Sequence, residues 1–453
     1  MSKLHKYNNK IYTISNTFIY LFGITFFFIF LFDITSKVYS TGNIDTNNAT
    51  NSNEIHTNDD LQLYSNASVA MDFDSGNVLF EKNGYSKVYP ASTTKILTAL
   101  LAIENLDLDK SIVVSNNAIQ STPYESSIMF LVPGEVISLK NVLYGLLLQS
   151  GNDAANVLAE NISGNLNDFT KLMNKKLKEI GCNDTHFTNA HGFHDANHYT
   201  TPFDMAKLMR YAMQNEEFKK IVETKFIIIE PTNKTPKKRE FKNTNKMFEK
   251  KYPKMYYEYT VGGKTGYTPQ ARGTFVGYAK KGDKTIISSV FDGSQNISQN
   301  EARFLDSITL FNYSFDNFTK QKVLDNSKYL FNIIDKKSCK KYTIQLTNDE
   351  YALEKAKSNE YTSYNLNVDF NKLEDENITP GDIVGDIEAS IKGENINISN
   401  TYTVKFLSSS NYFDIHSLKK YLPLLYIYLL FIVIVICSAL LYNYDKTTKE
   451  KNI

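Results

Sequence analysis

The sequence predicts an α+β protein in which helices pack on one antiparallel sheet, followed by a small all-β domain and a C-terminal transmembrane helix. Three observations lead to this prediction. Strand-like alternation comes first, helical periodicity occupies the middle, and strands return before a closing helix. Beyond about residue 317 the chain changes to short alternating segments. Residues 421–442 then form an apolar stretch that contains no charged residue.

The first domain, predicted over residues 63–316, opens with a β-hairpin. Apolar and polar residues alternate on both sides of Ser75-Gly76-Asn77, which has turn chemistry. Periodicity then predicts helices over 92–105, 141–161, 166–180, 202–215 and 300–315, and strands over 224–229, 257–262, 273–280 and 284–292. The helix over 92–105 is apolar nearly all round, which indicates that it is buried. Residues 317–410 are predicted to form the all-β domain.

The two ends of the chain predict export and anchoring. A basic leader, an apolar stretch over 18–32 and small residues near position 40 are typical of a secretory signal over 1–40, with an uncleaved signal anchor as the alternative. Residues 41–62 are polar and read as a linker. The stretch over 421–442 is long enough to span a bilayer, which leaves 443–453 as a cytoplasmic tail and the main body outside the cell.

Composition excludes several functional classes. The 453 residues carry 50 Lys plus Arg and 49 Asp plus Glu, a balance that argues against a nucleic-acid binder. The three cysteines are scattered and predict neither a disulfide framework nor a zinc cluster, although a single Cys182–Cys339 bridge stays open. No CxxC, HExxH or glycine-rich phosphate loop is present, so no metal or other cofactor is expected.

Three short motifs stand in order: Ser92-Thr-Thr-Lys95, Ser150-Gly-Asn152 and Lys264-Thr-Gly266. The first opens the helix predicted to be buried, where backbone N–H groups and the positive end of the helix dipole favour a developing anion. Lys95 shares a helix face with Ser92, and burial beside a second cation would lower its pKa. A neutral Lys95 could then accept the Ser92 proton, whereas the alternative is a helix cap with a solvated lysine.

The other two motifs follow an apolar run and a predicted strand. In the second motif, a small residue between the hydroxyl of Ser150 and the amide of Asn152 lets a substrate approach. The third follows the predicted strand over 257–262, and we expect Gly266 to leave room for a substrate backbone beside the strand. A turn between strands is the alternative for this motif.

The three motifs together resemble the active-site set of the serine penicillin-binding proteins and β-lactamases. The sequence segments around the motifs resemble more closely the low-molecular-mass D-alanyl-D-alanine carboxypeptidases, the peptidase S11-like family. These segments are residues 89–98, 146–155, 187–195, 198–204 and 263–268 and Arg303-Phe-Leu-Asp306. The likeness covers about residues 64–316 and is faint over 317–410. It implies a β-lactamase/transpeptidase-like fold for the first domain.

The resemblance also implies a role for each motif residue. Ser92 would be acylated, Lys95 would be the general base, and Ser150 would relay a proton to the leaving D-alanine. The substrate-binding set would be Asn152, Lys264, Thr265, Gly266 and Tyr267. Within that set, Asn152 would hold the peptide, Lys264 and Thr265 the terminal carboxylate, and the N–H groups of Ser92 and Tyr267 the oxyanion. A smaller or different residue is often seen at the position of Tyr267, a departure that bears on the width of the site.

The resemblance predicts a membrane-anchored serine D-alanyl-D-alanine carboxypeptidase that acts on peptidoglycan stem peptides and is acylated by β-lactam antibiotics. A β-lactamase and a non-catalytic penicillin-binding wall module are the alternatives. Four histidines between His186 and His198 suggest a metal site, but their spacing fits a supporting loop better. The basic run over 234–254 reads as a solvated loop, with attraction to an anionic wall polymer as the alternative.

Overall fold

The computed structural model of the protein describes residues 61–293, 298–328, 330–335, 340–354, 361–375, 377–393, 396–411 and 422–449. The predicted signal over 1–40 lies outside these residues, as does the predicted linker up to residue 60.

The strands of the first domain form one large sheet and two short pairs. In chain order they are β1 (Ala67–Asp72), β2 (Val78–Lys82), β3 (Ser111–Val113), β4 (Val136–Ser138), β5 (Phe226–Ile229), β6 (Arg239–Lys242), β7 (Thr260–Thr268), β8 (Arg272–Lys281) and β9 (Lys284–Phe291). The large sheet has the order β2-β1-β9-β8-β7, and its neighbouring strands are antiparallel. The first strands of the chain therefore pair with the last ones of the domain, and β7 is left at an edge.

Helices cover both faces of this sheet. They are α1 (Lys95–Asn105), α2 (Asn116–Gln120), α3 (Leu139–Leu148), α4 (Asn152–Ser163), α5 (Leu166–Ile180), α6 (Pro202–Ala212), α7 (Glu216–Glu223) and α8 (Gln299–Asn317), with 3-10 turns at Ala91–Thr94 and Lys246–Phe248. Val69 and Met71 face the hydrophobic cluster of helices α1 to α7, whereas Ala70 faces the cluster that includes α8. Because side chains alternate along a strand, the sheet is buried on both sides. This is the predicted helix-covered antiparallel sheet.

Several details differ from the sequence prediction, among them helix α2 and strands β3, β4 and β6, which were not expected. The helix expected over 141–161 is two helices, α3 and α4, separated at Ser150, whose φ of +65° is left-handed and cannot continue a helix. The strand expected over 257–262 is β7, which begins at Thr260 and includes the Lys-Thr-Gly motif, so that motif is not a turn. Helix α7 follows α6 after a short turn and was not expected.

A second, smaller sheet domain follows α8. It contains β10 (Thr319–Leu324), β11 (Leu330–Asp335), β12 (Lys340–Leu346), β13 (Glu350–Glu354), β14 (Tyr361–Val368), a short helix α9 (Phe370–Leu373), β15 (Ile383–Gly393) and β16 (Ile396–Asn411). Strands β10 and β13 pair with each other, and the others form a sheet in the order β11-β12-β16-β15-β14. A hydrophobic cluster of its own, from Val323 to Phe406, lies between these elements. Asn400 Nδ2 donates a hydrogen bond to Ser75 O at 3.0 Å, which links this domain to the first.

The last described element is helix α10 (Leu422–Lys449). Its stretch Pro423–Leu441 is long and apolar enough to cross a membrane, and nothing in the described part of the chain buries it. The prediction placed this apolar stretch at 421–442, and the helix itself continues into the predicted tail.

Candidate active site

Ser92 lies on a tight turn at the start of the buried helix. The turn is the 3-10 segment Ala91–Thr94, which runs directly into α1. Ala91 has a φ of +48°, an uncommon value for a residue other than glycine. Ser92 is partly exposed, whereas the Lys95 side chain one turn later is fully buried. The serine is therefore accessible from solvent and the lysine is not.

Lys95 Nζ lies among three oxygen atoms from three segments. Ser92 Oγ is 3.0 Å away, Asn152 Oδ1 is 2.6 Å away, and the carbonyl oxygen of His191 is 2.6 Å away. The first two contacts join the first two sequence motifs. The third contact comes from the histidine-rich loop, which the sequence had suggested to be a scaffold.

The break between α3 and α4 directs Ser150 toward the third motif. Ser150 Oγ lies 3.0 Å from Lys264 Nζ, and both side chains are buried. Asn152 is the first residue of α4, and its backbone N–H donates to Ser127 O at 2.7 Å. Gly151 N–H donates back to Gly145 O at 3.1 Å and so helps to end α3. The helix break thus joins the second and third motifs.

Strand β7 presents the third motif at the edge of the sheet. Lys264 is fully buried, Thr265 is nearly so, and Tyr267 is 54% exposed. A Cβ atom on Gly266 would lie 2.8 Å from Ser92 N and 3.0 Å from Pro90 O. Gly266 therefore allows β7 to touch the turn that carries Ser92. The sequence had suggested room for a substrate there, but protein backbone occupies that space.

Three basic side chains share this region, and burial lowers the pKa of each of them. Burial, and then repulsion from Lys264, holds the pKa of Lys95 well below its usual range, and nearby Asp153 opposes this only in part. Burial and the charge of Arg303 lower the pKa of Lys264 to about 7. Burial also lowers the pKa of Arg303 to about 10, and its Nη1 donates to Gly266 O at 2.9 Å. The sequence predicted that a second cation would lower the pKa of Lys95, and Lys264 has this effect.

Sequence reasoning gave no role to three residues that shape the site. Arg303 reaches β7 from helix α8. Thr244 Oγ1 lies 2.7 Å from Thr265 Oγ1. The buried Asp153 carboxylate accepts the backbone N–H groups of Met129 and Leu131 and so holds that segment against the start of α4. The only available signal was the presence of Asp153 and Arg303 in the words that resemble the family.

His191, His198 and Cys182 make structural contacts in the described part of the chain. Among the described residues, no three His, Cys, Asp or Glu side chains are grouped so that they could hold a metal ion. His198 Nε2 lies 2.8 Å from Thr94 Oγ1, and the His191 carbonyl contacts Lys95. Cys182 is a free, buried thiol that donates to Asp204 O, and Cys339, the other half of the bridge left open by the sequence, lies outside the described residues.

A buried ion pair fixes the loop beside Ser150. Arg239 donates to both carboxylate oxygens of Glu135, at 2.8 and 2.9 Å, and to Phe130 O at 2.9 Å. The side chains are 6% and 0% exposed. Removing one partner of a buried pair leaves the other charge uncompensated. Arg239 belongs to the basic run over 234–254, so this part of the run is structural.

We expect Arg239→Met to lower the free energy of unfolding by about 3–5 kcal/mol, as for other broken buried ion pairs. Denaturant unfolding of the full chain in detergent measures the loss. Lys238→Met is the matched control, because Lys238 pairs with Glu230 at 2.9 Å but both side chains are more than half exposed. Such surface pairs contribute about 0–1 kcal/mol. Equal losses in the two variants would contradict the prediction.

The fold and this set of residues resemble those of serine enzymes of the transpeptidase-like class. The family model described as D-alanyl-D-alanine carboxypeptidase, peptidase S11, matches residues 51–295. The D-alanyl-D-alanine carboxypeptidase DacF of Bacillus subtilis is 32% identical over 290 residues, which cover 63% of this chain and 70% of that protein. A Streptomyces D-alanyl-D-alanine carboxypeptidase is 31% identical over 261 residues, 54% of this chain and 85% of that protein.

A solved structure also shows similarity to this class of enzymes. The crystal structure of a Streptomyces DD-transpeptidase is 29% identical, with a TM-score of 0.52, and the match covers 56% of this chain and 98% of that one. The chain belongs to the D-alanyl-D-alanine carboxypeptidase family of serine peptidases. The predicted family, enzyme class and fold are confirmed.

Proposed function

We propose that this protein removes the terminal D-alanine from peptidoglycan stem peptides through an acyl-enzyme on Ser92. The observation that carries the proposal is the environment of Lys95 Nζ. A neutral amine has two N–H groups and one lone pair. The N–H groups would go to Asn152 Oδ1 and His191 O, which can only accept, and the lone pair would face the Ser92 hydroxyl at 3.0 Å. Burial favours this neutral form.

In the acylation step, Ser92 Oγ attacks the carbonyl carbon of the penultimate D-alanine while its proton passes to Lys95 Nζ. The bond between this carbon and the nitrogen of the terminal D-alanine then breaks, and that nitrogen takes a proton by way of Ser150. Water subsequently attacks the ester on Ser92 and releases the shortened peptide. The contact of Ser150 with Lys264 supports its role as the relay.

Substrate binding is assigned to the second and third motifs. The terminal carboxylate of the peptide carries a negative charge, and Lys264 supplies a desolvated positive one. Thr265 donates a second hydrogen bond to the same carboxylate, and Asn152 holds the peptide amide. The backbone N–H groups of Ser92 and Tyr267 stabilise the oxyanion, and Gly266 supports this assignment because it brings β7 close to Ser92 N.

The chain is further proposed to work at the outer face of the cell membrane, where stem peptides are found. Helix α10 supports anchoring, since Pro423–Leu441 is long enough to span a bilayer. The signal predicted over 1–40 supports export of the segment 63–316, proposed as the catalytic domain. The sheet domain proposed over 317–410 would then separate catalysis from the membrane.

Release of D-alanine tests the proposed function. The full chain in detergent is incubated with a peptide that ends in D-Ala-D-Ala, and free D-alanine is measured for the wild type and for Ser92→Ala. We expect release only from the wild type. A fluorescent penicillin labels Ser92 in parallel, and the adduct should decay slowly. Rapid hydrolysis of penicillin would indicate the β-lactamase alternative, and full activity in Ser92→Ala would contradict the proposed nucleophile.

A further inference from the structure

We infer that His198 and Thr94 are positioning residues that hold the turn before Ser92 in the conformation that presents the serine hydroxyl to Lys95. The inference rests on the proposed role of Ser92. Neither residue touches Ser92 Oγ in the contacts described above, and both act through the carbonyl group of Ala91.

The turn needs support because its backbone is strained. Ala91 has a φ of +48° and is only 2% exposed. A left-handed residue with a Cβ atom costs roughly 1–2 kcal/mol and persists where its surroundings fix it. Relaxation at Ala91 would move the next residue, Ser92, relative to the buried amine. The strain thus lies directly beside the reacting atom.

A chain of hydrogen bonds runs from Thr188 through His198 and Thr94 to the carbonyl oxygen of Ala91. Its donors and acceptors allow only one direction. The backbone N–H of Thr188 donates to His198 Nδ1 at 3.0 Å, so the imidazole proton is on Nε2. His198 Nε2 lies 2.8 Å from Thr94 Oγ1, and the Thr94 hydroxyl donates to Ala91 O at 2.9 Å. Each donor in this chain faces an acceptor. The chain fixes the orientation of the Ala91 carbonyl group.

The imidazole in this chain is itself held in place. His198 is 2% exposed and stacks on Phe187, with ring centroids 4.7 Å apart and an interplanar angle of 9°. Burial, and then repulsion from His186, Lys95 and His194, lowers the pKa of His198 to about 3. The neutral form therefore persists at physiological pH, and the proton stays on Nε2.

The remaining contacts of the turn come from backbone and from the sheet. Gly192 has a φ of +84°, and a Cβ atom there would collide with Ala91 O, so the histidine-rich loop lies directly against the turn. On the sheet side, Thr274 Oγ1 donates to Pro90 O at 3.2 Å. The adjacent His191 carbonyl contacts Lys95 Nζ. One loop thus supports both the base and the backbone that carries the nucleophile.

The test compares Thr94→Val and His198→Ala in the full chain. The rate of acylation by a fluorescent penicillin is measured, together with kcat and KM for D-alanine release. We expect the acylation rate and kcat of each variant to fall by about 10- to 100-fold, because a small misplacement of reacting groups has an effect of this size. The KM of each variant should stay within about twofold of the wild-type value. Because both residues act through Ala91, the double variant should be no slower than the slower single one. Thr94→Ser, which keeps the hydroxyl, should restore the rate.

Thr98→Val is the matched control. Thr98 is fully buried on helix α1, and its hydroxyl donates to Ala190 O of the histidine-rich loop at 2.6 Å and not to the carbonyl group of Ala91. This variant should lose similar stability and keep its acylation rate. An equal loss of rate in Thr98→Val, losses that multiply in the double variant, or an effect confined to KM would overturn the inference.

Two further outcomes are decided by the same experiment. If His198→Ala does not fold, Thr94→Val and its rescue by Thr94→Ser decide alone, because valine has the shape of threonine. A wild-type protein that forms no adduct on Ser92 and releases no D-alanine would instead refute the proposed function.

Discussion

Replacement of Lys95 by Gln is expected to slow acylation of Ser92 by about 10²- to 10⁴-fold, the range associated with loss of a general base. The Gln amide can still donate to the oxygen atoms of Asn152 and His191, so the polar contacts of the site are largely kept. What it lacks is a lone pair basic enough to take the serine proton. The second-order rate of labelling by a fluorescent penicillin measures the effect.

Lys176→Gln is the control for this experiment. Lys176 is a largely buried lysine on helix α5, whereas Lys95 is on α1. It has two partners of its own, Glu104 at 2.9 Å and Tyr211 at 3.2 Å. We expect its acylation rate to be unchanged. A Lys95→Gln protein that is labelled within a few-fold of the wild-type rate would show that another group takes the proton.

The second large effect concerns the pH dependence of kcat/KM. The proposed mechanism requires a neutral Lys95 and a protonated Lys264, so we expect a bell-shaped profile. Activity rises with pH as Lys95 loses its proton, and falls as Lys264 loses its proton at a pKa of about 7. Lys264→Gln should lower kcat/KM by about 10- to 150-fold, which corresponds to the 1.5–3 kcal/mol of a hydrogen bond to a charged group.

The profile of this variant should also change shape. The alkaline fall disappears, because the group that titrates there has been removed. The acid side moves to higher pH, since the repulsion from Lys264 that lowers the pKa of Lys95 is gone. Lys264→Arg keeps the charge and should keep the acid side in place. An acid side that does not move in Lys264→Gln would show that the two lysines are not coupled.

Sequence patterns predicted the elements that local chemistry determines. The hairpin of β1 and β2 follows from alternation around a Ser-Gly-Asn turn, and α1 from an apolar run after a proline. The three motifs were predicted to form one site because their order and spacing match those of a known family. These features require no knowledge of distant contacts.

The features that were missed depend on distant contacts. Residues 139–163 have continuous helical character, but the backbone of Ser150 is left-handed where its side chain meets Lys264 on β7. Gly263 and the Lys-Thr-Gly motif lie beyond the strand end predicted at residue 262, yet pairing with β8 extends the strand through them, with a register shift between Thr260 and Gly262. Arg303 reaches the site from a helix that follows the last strand of the sheet, and no local pattern links it to Lys264.

The burial of three basic side chains beside one another also bears on the stability of the protein. Lys95, Lys264 and Arg303 are withdrawn from water, and the transfer of charged groups out of water costs folding stability. An active site commonly sacrifices folding stability in this way to obtain reactivity. We expect a peptide carboxylate that enters this region to add a negative charge beside Lys264. We therefore expect the free energy of unfolding to be lowest when no peptide is bound and to rise while a stem peptide is bound.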